Sequence, residues 1–367
     1  MIGSRGAGRP HTLGLLRSRG AALRNARATQ TSRAAARRLA LTLLTAPLLQ
    51  ACTEAPTGRV IVTSGFTDQV FVLEAATGDI LDSLSVDRRP GERDEPHGIA
   101  ASPDGRHFYV TLSHGEPSLW KYETAGLRLV GRVALPTNGA SRVRLSPDGH
   151  VAAVPDYWLS GGGATSRVAF VRTLDLSVIA SPEVCPAPHD AAFSPNGALV
   201  AVSCAAGDQL VILDAETFTD FQRHSLDPGA KPMNVAWHGD ESVLLTLGGQ
   251  PNVVDFDLNT PGSRSLLTTE EGGAQIAVGR DRAVVANHGA GTVSIVDLLR
   301  GGTQSVTMPG PNPHGVALSP GGSIAYVTYE GDSRSRGGVV AIEIASGEIL
   351  WHTAVGVFTL GVAVIPG

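Results

Sequence analysis

The sequence predicts an all-β fold, a seven-bladed β-propeller with four-stranded antiparallel blades, from three observations. First, one phrase returns along the chain: an apolar run, a turn such as Ser-Pro-Asp-Gly, and a second run of β-forming residues. Second, each repeat holds four short strand-like segments, which is typical of propeller blades. Third, the chain ends on a lone half-repeat, so the N-terminal strands are needed to complete one blade.

The repeat has a period of 40 to 47 residues. When the copies are aligned near the start of their first strand, successive copies are separated by 45, 47, 44, 41, 40 and 46 residues. The aligned positions are His97, Arg142, His189, Met233, Ala274, His314 and Leu360. A fixed period of this size indicates a repeat architecture, and seven copies indicate seven blades.

Within a period, the predicted strands A and B flank the turn. Strand A is residues 98–101 and strand B is residues 108–112, joined by Ser-Pro-Asp-Gly at 102–105. In this turn Pro presets φ and Gly takes the left-handed position. In strand C, for example residues 292–297, apolar residues occur at every second position. A further turn then connects strand C to strand D.

The two ends of the chain are expected to share a blade. Residues 360–364 read as a final strand A, and residues 60–64 read as a strand B that has no strand A before it. Pairing them closes the ring and removes an exposed sheet edge. We therefore expect deletion of residues 355–367 to abolish soluble folding.

Charge is distributed unevenly over the 367 residues. Residues 1–51 carry nine Arg and no acid, which leaves 20 Lys and Arg against 34 Asp and Glu in the rest of the chain. A net charge of −14 there disfavours nucleic-acid binding, which needs a basic surface. We expect no nucleic-acid partner and a monomer.

The N-terminal residues 1–51 have the features of an export signal. A basic region is followed by an apolar run at 39–49 that is too short to span a bilayer. The sequence Leu49-Gln50-Ala51-Cys52 resembles the lipobox of bacterial lipoproteins, which implies a lipid anchor on Cys52, a tether at 52–57 and a propeller at 58–367. The alternative is an ordinary secretory signal. Arg37-Arg38 resembles a twin-Arg signal, so the export route stays open. We expect a lipid-anchored protein of the bacterial cell envelope, either periplasmic or surface-exposed.

The remaining cysteines are Cys185 and Cys204. In the repeat they fall near one end of the same predicted blade. An oxidising compartment favours a disulfide between them, and the alternative is two free thiols.

Three phrases carry a family resemblance: Tyr109-Val110-Thr111, Tyr326-Val327-Thr328 and the segment at 292–297. With Pro-His-Gly and Ser-Pro-Asp-Gly, they resemble the YVTN-repeat seven-bladed propellers of bacterial and archaeal envelope proteins. That family is related to the propellers of haem-d nitrite reductase, nitrous oxide reductase and the lactonases. The resemblance implies the fold for about residues 58–367, while its members bind and catalyse different things.

The channel mouth and the loops around it are the predicted binding region. Strand A lines the channel of a propeller, so His97, Arg142, His189, Met233 and His314 are expected at its mouth, with Asp190, Asn234 and Gln275 following ring positions. The loop face is expected to add His114, Tyr157, Trp158, His288 and Glu330. Variable loops on a rigid scaffold commonly carry binding sites.

Three functions follow from these residues, and binding of a protein, glycan or small ligand without catalysis is preferred. A copper or zinc site formed by His97, His189 and His314 is the second. The third, by resemblance to the lactonases, is hydrolysis with one of these histidines as base and Arg142 steadying an oxyanion. The sequence has no Gly-x-Ser-x-Gly elbow, His-Glu-x-x-His helix or Cys-x-x-Cys-His haem site.

Overall fold

A computed structural model describes residues 57–157, 164–260, 264–332 and 335–367. Over these ranges the chain forms 29 β-strands in seven antiparallel sheets, which are the seven blades of a β-propeller. The predicted fold class is therefore confirmed. Cys52 and the predicted export signal lie outside the described residues.

The first three strands belong to the blade that closes the ring, blade 7, and the next two blades follow in chain order. Blade 7 begins with β1 (Gly58–Ser64), β2 (Gln69–Glu74) and β3 (Ile80–Ser85). Blade 1 is β4 (Pro96–Ala101), β5 (His107–Leu112), β6 (Ser118–Glu123) and β7 (Arg128–Ala134). Blade 2 is β8 (Arg144–Leu145), β9 (Val151–Pro155), β10 (Thr165–Arg172) and β11 (Ser177–Ala180), with β12 (Glu183–Pro186) also paired to β10.

Blades 3 to 6 are regular and each has four strands. Blade 3 is β13 (Pro188–Phe193), β14 (Leu199–Cys204), β15 (Gln209–Asp214) and β16 (Asp220–Ser225). Blade 4 is β17 (Pro232–Trp237), β18 (Ser242–Leu247), β19 (Asn252–Asp257) and β20 (Arg264–Thr268). Blade 5 is β21 (Gly273–Val278), β22 (Arg282–Asn287), β23 (Thr292–Asp297) and β24 (Thr303–Thr307). Blade 6 is β25 (Pro313–Leu318), β26 (Ile324–Tyr329), β27 (Gly338–Glu343) and β28 (Ile349–Ala354).

The last strand closes the ring as predicted. β29 (Thr359–Pro366) pairs antiparallel with β1, with Val364 opposite Val60 and Val362 opposite Val62. The strand is three residues longer than the predicted 360–364, because pairing with β1 continues to Pro366 opposite Gly58. Blade 7 is thus assembled from both ends of the described chain.

The core lies between neighbouring blades. The middle strands are rich in β-branched and aromatic residues and are buried on both faces, because each sheet is covered by the sheets on either side. Between blades 7 and 1, for example, Ile61 and Val70 pack with Phe108, Val110 and Trp120. The outermost strands, such as β3, are mostly exposed to solvent.

The Ser-Pro-Asp-Gly turns lie at the ends of the innermost strands and repeat one structure. The Oγ of Ser102 donates to the Asp104 carboxylate at 2.6 Å, and Ser146 donates to Asp148 at 2.5 Å in the same way. Gly105 has φ of +67°, which only glycine adopts readily. We call this side the turn face and the opposite side, where the innermost strands begin, the loop face.

The structure joins Cys185 and Cys204 in a disulfide. Cys204 ends β14 of blade 3 as expected, but Cys185 lies on β12, which pairs with β10 of blade 2. The bond therefore links neighbouring blades, whereas the sequence placed both cysteines at one end of the same blade. The extra strand β12 was not visible in the repeat pattern.

Candidate functional site

The residues at the channel mouth form one ring, and hydrogen bonds between blades define its members. In five places a hydroxyl of one blade donates to the main-chain carbonyl oxygen of the ring residue in the next blade. The acceptors are the carbonyl oxygens of His97, Ser141, Met233, Ala274 and Leu360. The Oγ of Ser141 in turn donates to the carbonyl oxygen of His189 at 2.6 Å.

Arg142 is not at the mouth, and the prediction that placed it there is wrong by one residue. The ring position of blade 2 is Ser141, and Arg142 lies one residue deeper. The strand pairing agrees with this assignment. Arg144, three residues after Ser141, lies opposite Ala153, just as Ala192, three residues after His189, lies opposite Ala201 in blade 3. Counting back five residues from the turn serine would have shown it: His189 precedes Ser194 by five, and Ser141 precedes Ser146 by five.

A pocket of about 390 Å³ occupies the channel mouth. It brings together seven of the ten predicted ligand-binding residues: His97, Tyr157, His189, Met233, His288, His314 and Glu330. The three remaining are Arg142, which lies deeper, His114, which contacts Glu95 outside the pocket lining, and Trp158, which lies outside the described residues. Sequence reasoning missed Lys231 and Phe358, which also line the pocket, because both precede ring positions in loops with no repeated signature.

Two of the pocket histidines are held neutral. Burial lowers the pKa of His189 to about 4, and the nearby His97 adds to the effect. Burial likewise lowers the pKa of His314 well below its usual value, with His97 and His189 contributing. Because a carbonyl oxygen only accepts, the 2.6 Å contact of His189 Nδ1 with Met233 O makes Nδ1 the protonated nitrogen. The Nε2 atom of His189 is then an acceptor.

His97 has a buried ring nitrogen that lacks a partner. Its Nδ1 lies 3.8 Å from a Glu95 carboxylate oxygen, while its Nε2 makes no hydrogen bond with any described residue. The His97 ring contacts that of His314 edge-on, with centroids 5.6 Å apart. Buried polar atoms without partners are uncommon and often mark places where a ligand binds.

Two carboxylates near the pocket rim are each in contact with an imidazole. Glu95 lies 3.1 Å from His114 Nε2, and Glu330 lies 3.2 Å from His288 Nε2. Burial opposes ionisation of Glu95, but hydrogen bonding and charge from His97, with charge from His114, outweigh it and lower the pKa of Glu95. The rim is therefore polar, and each of its two carboxylates has an imidazole as its contact partner.

The predicted copper or zinc site is not assembled among the described residues. No group of three or more His, Cys, Asp or Glu side chains there is arranged to hold a metal ion. His189 is directed to the carbonyl of Met233 and to the ring of Tyr157, whose centroid lies 4.3 Å away. The residues do not fit a three-histidine metal centre.

The second layer of the channel, one residue deeper than the mouth, holds the blades together. Asp190, Asn234 and Gln275 each accept a hydrogen bond from a backbone N–H of the next blade, at 3.2 to 3.3 Å. In blades 6, 7 and 1 the same layer is formed by Gly315, Gly361 and Gly98, and there the innermost strands of neighbouring blades approach closely. A Cβ on Gly98 would lie 2.7 Å from the Cα of Arg142. The polar residues after the ring positions are thus structural bridges.

Comparison with known proteins shows the fold and no family. No protein-family model and no curated sequence matches the chain. Among solved structures, a functionally unknown protein from Desulfotomaculum acetoxidans aligns with a TM-score of 0.69 and 16% identity, over 84% of this chain and 99% of its own. Hydrazine synthase from Kuenenia stuttgartiensis aligns with a TM-score of 0.63 and 15% identity, over 77% of this chain and 93% of its own.

A third similar structure is dihydro-haem d1 dehydrogenase NirN in complex with DHE. It has a TM-score of 0.55 and 14% identity, over 84% of this chain and 75% of its own. At such identities the likeness shows a shared fold alone. The described residues contain no helix long and apolar enough to cross a membrane.

Proposed function

We propose that this protein is an extracytoplasmic β-propeller of the YVTN type that binds a small polar ligand in the pocket at its channel mouth. The observation that carries the proposal is the unpartnered Nε2 of His97, buried in a pocket of about 390 Å³. Neutral imidazoles suit a ligand with hydroxyl, amide or carbonyl groups, because each ring both donates and accepts.

Two features support the proposed extracytoplasmic location. A disulfide between neighbouring blades suits an oxidising compartment. The N-terminal signal and Cys52 support export and lipid anchoring in the bacterial envelope. No specific feature favours hydrolysis, since Arg142 lies below the mouth ring and is paired with Asp190.

A fragment screen on the full-length protein tests the mouth pocket. Polar fragments that raise the melting temperature of the wild type are to be soaked into its crystals. We expect them to bind in the mouth pocket within hydrogen-bonding distance of His97 Nε2, and to stop stabilising the His97→Leu variant. His150→Leu is the matched control, because His150 lies 80% exposed on the turn face.

The proposal fails if no fragment occupies the mouth pocket. It fails equally if the fragments stabilise His97→Leu as strongly as they stabilise the wild type.

A further inference from the structure

A second cavity of about 540 Å³ opens on the turn face, at the opposite end of the channel from the mouth pocket. Its wall is formed by the innermost strands of all seven blades and is apolar, with Leu145, Phe193, Trp237 and Leu318 among its larger side chains. The indole N–H of Trp237 is already bonded to the carbonyl oxygen of Ala192 at 2.8 Å, so this side chain presents an apolar surface to the cavity.

Two guanidinium groups line the inner end of this cavity. Arg142 and Arg144 both contribute to its wall, and Ser146, which donates to Asp148, is the other polar side chain among its lining residues. Arg144 is 27% exposed in its side chain, whereas the side chain of Arg142 is only 8% exposed. No acidic side chain lines the cavity among the described residues.

One carboxylate is shared between the two guanidiniums. Asp190 is fully buried and accepts from Arg144 Nε and Nη2 at 3.1 and 2.9 Å, while Arg142 Nε lies 3.7 Å away. The Nη1 atom of Arg142 is buried and has no partner among the described residues. The cluster therefore carries one unmatched positive charge, which is costly in a buried place.

The groups packed around the cluster do not supply the missing negative charge. Towards the mouth, His189 and His314 are neutral, and the carboxylates of Glu95 and Glu330 contact His114 and His288 rather than either guanidinium. Burial lowers the pKa of Arg142 to about 9, with Arg144 adding to the effect and Asp190 opposing it, so the guanidinium stays charged at neutral pH.

We propose that the turn-face cavity binds a small organic monoanion with an apolar body, such as a medium-chain monocarboxylate. The carboxylate would pair with Arg142 and Arg144, and the hydrocarbon part would lie against the apolar wall. Guanidinium groups match carboxylates in geometry as well as charge. The cavity volume lies in the range of small-molecule sites, which are mostly apolar with a few polar groups fixing orientation.

Calorimetric titration of the full-length protein tests this site with four probes: octanoate, acetate, octylamine and octanol. Octanoate is expected to bind at least about tenfold more tightly than the other three, because it alone offers both the charge and the apolar chain. Binding of acetate as tight as that of octanoate would reduce the site to an adventitious ion site and overturn the proposal.

Substitutions locate the binding. Arg144→Gln is expected to weaken octanoate binding about tenfold or more, while Arg142 remains to balance the charge of Asp190. Arg128→Gln, on the exposed strand β7, is the matched control and is expected to bind as the wild type does. Unchanged octanoate affinity in Arg144→Gln contradicts the proposal.

A second variant does not touch the ion cluster. Leu318→Glu places a carboxylate in the cavity wall, so it is expected to reject octanoate; retained octanoate affinity contradicts the proposal. His97→Leu, in the mouth pocket, is expected to bind octanoate normally. If octanoate binding is lost in His97→Leu but kept in Arg144→Gln, the ligand occupies the mouth pocket and the turn-face site is wrong.

Discussion

Asp190 accepts two hydrogen bonds from the guanidinium of Arg144, at 3.1 and 2.9 Å, and this pair links neighbouring blades at the channel axis. Arg144 belongs to β8 of blade 2 and Asp190 to β13 of blade 3. The Nη2 atom of Arg144 also lies 3.4 Å from Asn234 Oδ1 in blade 4. One side chain therefore connects three blades where their innermost strands converge.

Asp190→Asn is expected to destabilise the protein by about 3–5 kcal/mol, because it leaves the buried guanidinium of Arg142 and the partly buried one of Arg144 without a carboxylate. Urea unfolding at pH 7 measures the change. Asp175→Asn is the control: Asp175 and its partner Arg172 both have exposed side chains, so a much smaller loss of stability is expected. An Asp190→Asn variant as stable as the control would contradict the structural role of the pair.

The same carboxylate predicts an acid dependence. Burial opposes ionisation of Asp190, but Arg144 and Arg142 outweigh it and lower its pKa. A lowered pKa in the folded state gives stability that is present above the unfolded value of about 3.9 and lost as the pH falls through the folded value. Below about pH 4 the stability gap between the wild type and Asp190→Asn should therefore narrow.

His189 predicts a loss of stability at a higher pH. Its folded pKa of about 4 lies below the unfolded value of about 6.5, so between these values the unfolded chain binds a proton that the native state does not. The free energy of unfolding should fall by up to about 3 kcal/mol from this residue as the pH falls from 6.5 to 4. Unfolding of the wild type and His189→Gln at pH 7.5 and 5 measures it.

In His189→Gln the free energy of unfolding should decrease less between pH 7.5 and 5 than it does in the wild type. His150→Gln, at an exposed histidine, should keep the wild-type decrease. Equal pH dependence in all three proteins would mean that His189 is not held neutral by the fold.

Reduction of the disulfide between Cys185 and Cys204 is expected to lower stability by about 3 kcal/mol. The bond closes a loop with a sequence separation of 19, and a cross-link of that span restricts the unfolded chain by about this amount. Urea unfolding with and without reductant measures the loss. The double variant Cys185→Ala, Cys204→Ala should be insensitive to reductant, and a wild type equally insensitive would contradict the bond's role.

Removal of residues 359–367 is expected to leave no soluble folded protein. Without β29, strand β1 keeps β2 but loses its partner on the inner side of blade 7, so the ring is open and a sheet edge is exposed. Circular dichroism and size-exclusion chromatography show the outcome. Deletion of Gly367 alone preserves every β1–β29 pair and is expected to fold, whereas a folded monomer lacking β29 would refute the closure.

The repeat itself determined the number of blades, their strands and the closure, because each strand is specified by local features. The turn at Ser102 to Gly105 and the alternating run after it are readable without any distant contact. Most of the mouth residues could also be predicted, since His97, His189 and His314 lie at a fixed distance before their turns. Arg142 was misplaced because the alignment departed from that distance.

Only the tertiary structure decided which of these residues act together. The pairing of Arg144 with Asp190, the extra strand β12 that carries Cys185, and the neutrality of His189 all depend on contacts between blades. Such contacts join residues 46 apart in the case of Arg144 and Asp190, and the repeat pattern says nothing about them. Burial and neighbouring charge exist only once the blades have closed, so the chemistry of both cavities was settled there.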